Sequence, residues 1–171
     1  MMENLWKLDF EPIIIKPEDI VMQQCKHLEV LTGGMVTANV NKHDNNGPMK
    51  LFIEFFTKAA KHLAVDAVSP ELSAKSLGHM GDAEIYCAFE FYITSPSTPN
   101  YKFGIMNFIY AKGQYPVKLI LDEDIVAEIG GRYIIECNSE NNFISLLEKI
   151  ITSKKVTSVV NALKAISIET A

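Results

Sequence analysis

Positive charge is in short supply in this chain. Lysine and arginine number 16 against 21 aspartates and glutamates, a net charge of −5. Nucleic-acid binding rests largely on cations that neutralise phosphates. The local cationic clusters are no larger than Lys154-Lys155. Neither nucleic acid nor an anionic membrane is therefore expected as a partner. Cysteine is also sparse. Cys25, Cys87 and Cys137 are odd in number and far apart. The absence of a Cys-x-x-Cys pair removes the common zinc and redox motifs. Each cysteine sits in an apolar pattern, where a free thiol acts as a small hydrophobe, and a reducing compartment is expected. Long apolar runs are missing, with none near the ~20 residues of a membrane span. Residues 1–9 carry early acidic groups and no apolar core of signal-peptide length. The expectation is a soluble cytoplasmic protein of bacterial type.

Several chemistries lack their motifs. There is no Gly-x-Gly-x-x-Gly and no P-loop to cradle a nucleotide phosphate. There is no His-Glu-x-x-His and no Gly-x-Ser-x-Gly. No cofactor and no metal are expected, and an enzyme is the less favoured reading.

What is present reads as one α+β domain over residues 1–171. The length falls in the ~100–200 residues of a single domain. A chain of this size buries roughly 68–70% of its unfolded surface, so it needs no disulfide or metal staple. Hydrophobic content of 48% and charged content of 22% are ordinary for a globular chain.

The strongest pattern is residues 84–94. Ile85, Cys87, Phe89, Phe91 and Ile93 fall on odd positions, with Tyr86, Ala88, Tyr92 and the polar Glu84, Glu90 and Thr94 on even ones. A period of two predicts a strand with one buried and one wetter face. A turn or loop at 95–100 follows. Residues 101–110 predict a second strand with poorer alternation, buried on both faces or bulged. Residues 115–121 predict a third, ended by the acidic run Asp122-Glu-Asp124, which reads as a solvated strand end rather than a cation site. Gly130-Gly131 between two short apolar runs predicts a hairpin, because primed turns need positive φ. The alternative is that only the second run, 132–137, is a strand.

Helices flank this block. Pro17, with Glu18 and Asp19 behind it, starts a helix over 17–32 that Gly33-Gly34 closes. Residues 35–42 alternate as a half-buried strand, with Val36, Ala38 and Val40 on one side. Residues 49–66 fit an amphipathic helix through Phe52, Phe55, Phe56, Ala59, Ala60 and Leu63, or two strands. Residues 69–83 read as a surface excursion or a short helix and loop. At the C-terminus, 139–152 and 154–166 form a helical pair joined by Thr152-Ser153. The whole is a mainly antiparallel sheet of about four to six strands packed with these helices.

Candidate functional residues are few. His27 reads as a surface residue near a helix end, and His43-Asp44 as a turn. His62 and Asp66 share a helical face at ligand spacing, but no third ligand is evident. The wetter face of strand 84–94 is the specific proposal, with Tyr86, Glu90 and Tyr92 as a binding surface. It stands only if the helices take the Phe89 and Phe91 face. The resulting expectation is a non-enzymatic interaction protein, of an accessory, immunity-like or chaperone-like kind. A protein partner or self-association is favoured over a small molecule. The alternatives are a ligand-binding protein or enzyme built from His79, Asp82 and Glu90, and a structural subunit of a larger, phage-like assembly.

Overall fold

The computed structural model describes residues 15–43, 86–111, 114–132 and 134–170. Helix α1 spans Pro17–Leu31, with Pro17 in its first turn and Glu18 and Asp19 beside its positive end. Its last turn closes on two left-handed glycines. Gly34 N–H donates to the Glu29 carbonyl at 2.9 Å and Gly33 N–H to that of Val30 at 3.2 Å. These are the paired bonds of a Schellman cap.

Five strands follow: β1 Thr37–Lys42, β2 Tyr86–Ser95, β3 Thr98–Ala111, β4 Val117–Leu121 and β5 Ile134–Cys137. They lie in the order β1-β2-β3-β4-β5, each antiparallel to its neighbour. Helix α2 (Glu123–Ile129) links β4 to β5, and α3 (Glu140–Ile151) and α4 (Lys154–Glu169) close the chain. The fold is α+β, as expected, with four helices and five strands among the described residues. None of these helices is long and apolar enough to cross a membrane.

Three local expectations need correction. The hairpin at Gly130-Gly131 is instead the end of α2. Asp122 is that helix's N-cap, accepting from Asp124 N–H at 3.0 Å, and Glu123 and Asp124 fill its first turn. Carboxylates suit a helix start, so the acidic run begins an element rather than only ending one. Gly130 does take positive φ, at 70°, but as the left-handed helix cap. Only the second apolar run is a strand, starting at Ile134 rather than residue 132. The second concerns the bounds of the turn or loop at 95–100, which is a turn at Pro96 and Ser97 alone, with Ser95 paired to Thr98. Ser95 is buried, and its hydroxyl donates to the Met35 carbonyl at 2.7 Å, which holds the strand end in place. The third concerns α4, which runs to Glu169, three residues past the expected end, while β4 starts at Val117 rather than residue 115. The segments 49–66 and 69–83 lie outside the described residues.

The uneven alternation in β3 has a specific cause. Phe91 faces Met106 and Tyr92 faces Gly104, so Ile105 is an extra residue in β3. Such a bulge lets two successive side chains share one side. Ile105 and Met106 are both in the core, 1% and 2% exposed.

The helices α1, α3 and α4 share one core with Phe89, Phe91 and Ile93 of β2 and with Phe108 and Tyr110 of β3. Phe108 anchors it, stacked on Phe89 at 5.2 Å and tilted against Phe143 of α3 at 6.1 Å. Tyr110 donates its hydroxyl proton to the Glu18 carboxylate on α1. A second tie joins the helices at their ends. The Glu128 carboxylate of α2 accepts from Lys154 N–H at 2.7 and 2.8 Å, next to Ser153, whose hydroxyl caps α4 through Val156 N–H. An anion at a helix N-terminus is favourable there.

Candidate functional site

Strand parity places the odd residues of β2 under the helices and the even ones on the opposite face. The proposed surface therefore depends on what its neighbours contribute. Register puts Asn39 opposite Tyr92 and Asn41 opposite Glu90 on β1, and Asn107 opposite Glu90 on β3. A row of asparagines thus flanks the two residues singled out in the sequence.

Side chains on this face form a linked set. Asn41 Nδ2 donates to the Tyr92 hydroxyl at 2.8 Å. Lys102 Nζ donates to Glu90 Oε2 at 2.7 Å and lies 4.2 Å from the centre of the Tyr92 ring. Gly104 sits opposite Tyr92, and a Cβ there would stand 3.9 Å from Glu90 Oε1. Nearby, Thr37 and Thr94 share a 2.9 Å hydrogen bond across the strands, and Asn39 Nδ2 donates to Thr94 at 3.3 Å. His43 and Asn107 meet at 3.3 Å. The Lys102–Glu90 pair is exposed enough to contribute at most about 1 kcal/mol to stability. Its effect is chiefly geometric, since it holds an ammonium over the tyrosine ring.

Glu90 and Tyr92 are thus brought together, half-buried, with Asn41 and Lys102. Tyr86 pairs with Ala111 at the strand start, and its side chain lies outside what is described. His62, Asp66, His79 and Asp82 also lie outside the described residues. The face is not polar throughout. Ala88, Ile109 and Ile120 project from the same side of the sheet and are 1–3% exposed. The polar surface is therefore concentrated towards β1 and the β2–β3 turn.

Two thiols are chemically quiet. Burial pushes Cys25 and Cys137 up to about 11, far from thiolate at neutral pH. No three His, Cys, Asp or Glu side chains among the described residues group to hold a metal ion.

A second feature lies on the helix side. Between α1, the sheet and α4 is a cleft of about 290 Å³. Its floor is Phe91, Ile93 and Ile105, all buried, and Leu28, Val156 and Val160 form its walls. His27, Leu31, Thr157 and Asn161 are exposed at its mouth. The sequence reading of His27 as a surface residue holds, but it missed the cleft. One signal was available. Ala38 is the small residue between Val36 and Val40 on the core side of β1, and it leaves space where a larger side chain would fill it.

Comparison with protein-family models, curated proteins and solved structures finds no match. The functional reading rests on geometry alone.

Proposed function

We propose that this is a non-enzymatic interaction protein that engages another protein through the polar face of its sheet. The observation that carries this reading is the position of the helices. α1, α3 and α4 share their core with the Phe89 and Phe91 side. Tyr92, Glu90, Asn41 and Lys102 therefore form their network on the side away from them.

The chemistry suits recognition better than catalysis. Glu90 is ion-paired with Lys102, and the asparagines are neither acids nor bases. A tyrosine held from two sides loses little rotamer entropy on binding. Its hydroxyl accepts from Asn41 and keeps its own proton available for a partner's acceptor. Central aromatic anchors of this kind often contribute about 2 kcal/mol or more to an interface, roughly thirtyfold in affinity.

The test is parallel affinity enrichment from the source cells with the wild-type chain and a Glu90→Ala/Tyr92→Ala variant. Any recovered partner is then purified and titrated against both. A partner that binds the wild type at least thirtyfold more tightly supports the reading. A dimer seen by light scattering and broken by the double change supports it with a second copy as the partner. Equal binding by both chains refutes it.

A further inference from the structure

We infer that the outer edge of β5 pairs with β5 of a second copy of this chain, joining two sheets into one across a two-fold axis. This edge is the far end of the sheet from β1. The pairing is independent of the Tyr92 network.

Backbone parity shows what the edge offers. Among the described residues β5 pairs with β4 alone. In an antiparallel pair, alternate residues exchange both backbone hydrogen bonds with the residue opposite, and those between them turn their N–H and C=O the other way. Asp122 N–H donates to the Ile105 carbonyl at 3.2 Å, so Ile120 and Lys118 also turn towards β3. Val117 and Leu119 therefore turn towards β5, where they face Cys137 and Ile135. The bond from His43 N–H to the Ala88 carbonyl, at the opposite edge, carries the same parity across the sheet. Ile134 and Glu136 are left with both backbone groups pointing outward. Neither proline nor a bulge interrupts β5, and an uninterrupted edge is a template for another strand.

Charge selects the strand that fits. Arg132, Ile134 and Glu136 stand at alternate positions, a cation and a carboxylate on either side of an isoleucine. In an antiparallel pairing centred on Ile134 and continued to Arg132, Ile134 lies opposite the partner's Ile134. Arg132 then lies opposite the partner's Glu136, twice over by symmetry. All three positions share the outward parity, so this register can form about six main-chain hydrogen bonds. Sliding one copy along the other brings Glu136 against the partner's Glu136, or Arg132 against the partner's Arg132, and like charges directly opposite repel. Within one chain Lys118 already lies 3.7 Å from Glu136, so the carboxylate would sit between two cations. Apolar contact is also on offer. Ile134 and Ile135 are half-buried, and Ile129, Ile135 and Leu146 line a cleft of about 460 Å³ beside the edge.

The test is sedimentation velocity of the full chain at concentrations up to about 1 mM. A short strand pair is a small interface, so a reversible dimer with a Kd of roughly 10 μM to 1 mM is expected. Arg132→Glu changes an exposed residue and should weaken the dimer at least tenfold, as should Glu136→Arg. An equimolar mixture of these two variants should associate to within about threefold of the wild type, because each then meets opposite charge at both positions. Ile134→Pro removes an N–H that faces outward, a place where an edge strand tolerates proline, and should abolish the dimer. A chain that stays monomeric at 1 mM would overturn the assignment. So would a dimer indifferent to Arg132→Glu, or charge variants that fail to associate when mixed. A dimer broken by Glu90→Ala/Tyr92→Ala but not by Arg132→Glu belongs to the polar sheet face and would equally overturn it.

Discussion

Phe91 and Tyr92 are neighbours in β2 and point to opposite faces of the sheet. Phe91 is 3% exposed under the helices, and Tyr92 is half-buried on the polar face. Phe91→Ala removes a ring from the core, and its surroundings cannot collapse fully because the cleft already borders them. Such changes cost about 3–5 kcal/mol. Tyr92→Ala removes one hydrogen bond from Asn41 and the stacking of Lys102. These contribute about 0.5–1.5 and 0.5–1 kcal/mol, so a loss of about 1–2.5 kcal/mol is expected. Urea unfolding followed by far-ultraviolet circular dichroism separates the two. With an m-value of about 2 kcal/mol/M, Phe91→Ala lowers the midpoint by roughly 2 M and Tyr92→Ala by roughly 0.5–1.2 M. A one-residue register slip would exchange the two faces. Equal losses, or a larger loss for Tyr92→Ala, would refute the assignment of faces.

Three other outcomes follow from single contacts. Glu128→Gln weakens the charged cap on α4 and should cost about 1 kcal/mol in urea unfolding; no loss would mean the cap is replaced by water. Tyr110 is held above its ordinary value of 10.0, first by burial and then by its hydrogen bond to Glu18. Above pH 10 the unfolded chain therefore holds fewer protons than the folded one, and stability should fall by up to about 1.4 kcal/mol per pH unit. Tyr115, pushed up to about 12 by burial and then by Glu140, adds to this fall; Tyr110→Phe should make it shallower, and an unchanged slope would remove Tyr110 as its source. Finally, the rise of Cys137 from 9.0 to about 11 lowers its thiolate fraction about a hundredfold at pH 8. Alkylation mapped by mass spectrometry should be at least that much slower at Cys137 in the native chain than in urea, and comparable rates would contradict its burial.

Legibility in the sequence followed locality. Helix α1 was readable because Pro17, the first-turn acids and Gly33-Gly34 act within one turn of where they stand. Ser139 and Ser153 cap α3 and α4 just as locally, each accepting from the N–H three residues on. Gly130 was recognised as a positive-φ residue, but a helix cap and a hairpin turn demand the same conformation. The choice between them depended on Asp122 capping, which reads equally as a strand end. The bulge at Ile105 could be suspected from poor alternation but not located, because it exists only relative to β2. Parity alone placed Glu90 and Tyr92 on one face. Asn41 and Lys102 joined them only through strand order and register. The cleft was hardest to foresee, since α1, three strands and the α3–α4 joint each supply part of it.

The central claim is that the helices cover one face of the sheet and the Tyr92 face is the one that binds. Hydroxyl-radical footprinting of the free chain tests its structural half most directly, with oxidation read residue by residue. Tyr92 should oxidise well ahead of the strongly protected Phe89, Phe91 and Phe108, and should become protected when a partner is bound. Tyr92 as protected as Phe108 in the free chain would place it in a second core layer and contradict the account.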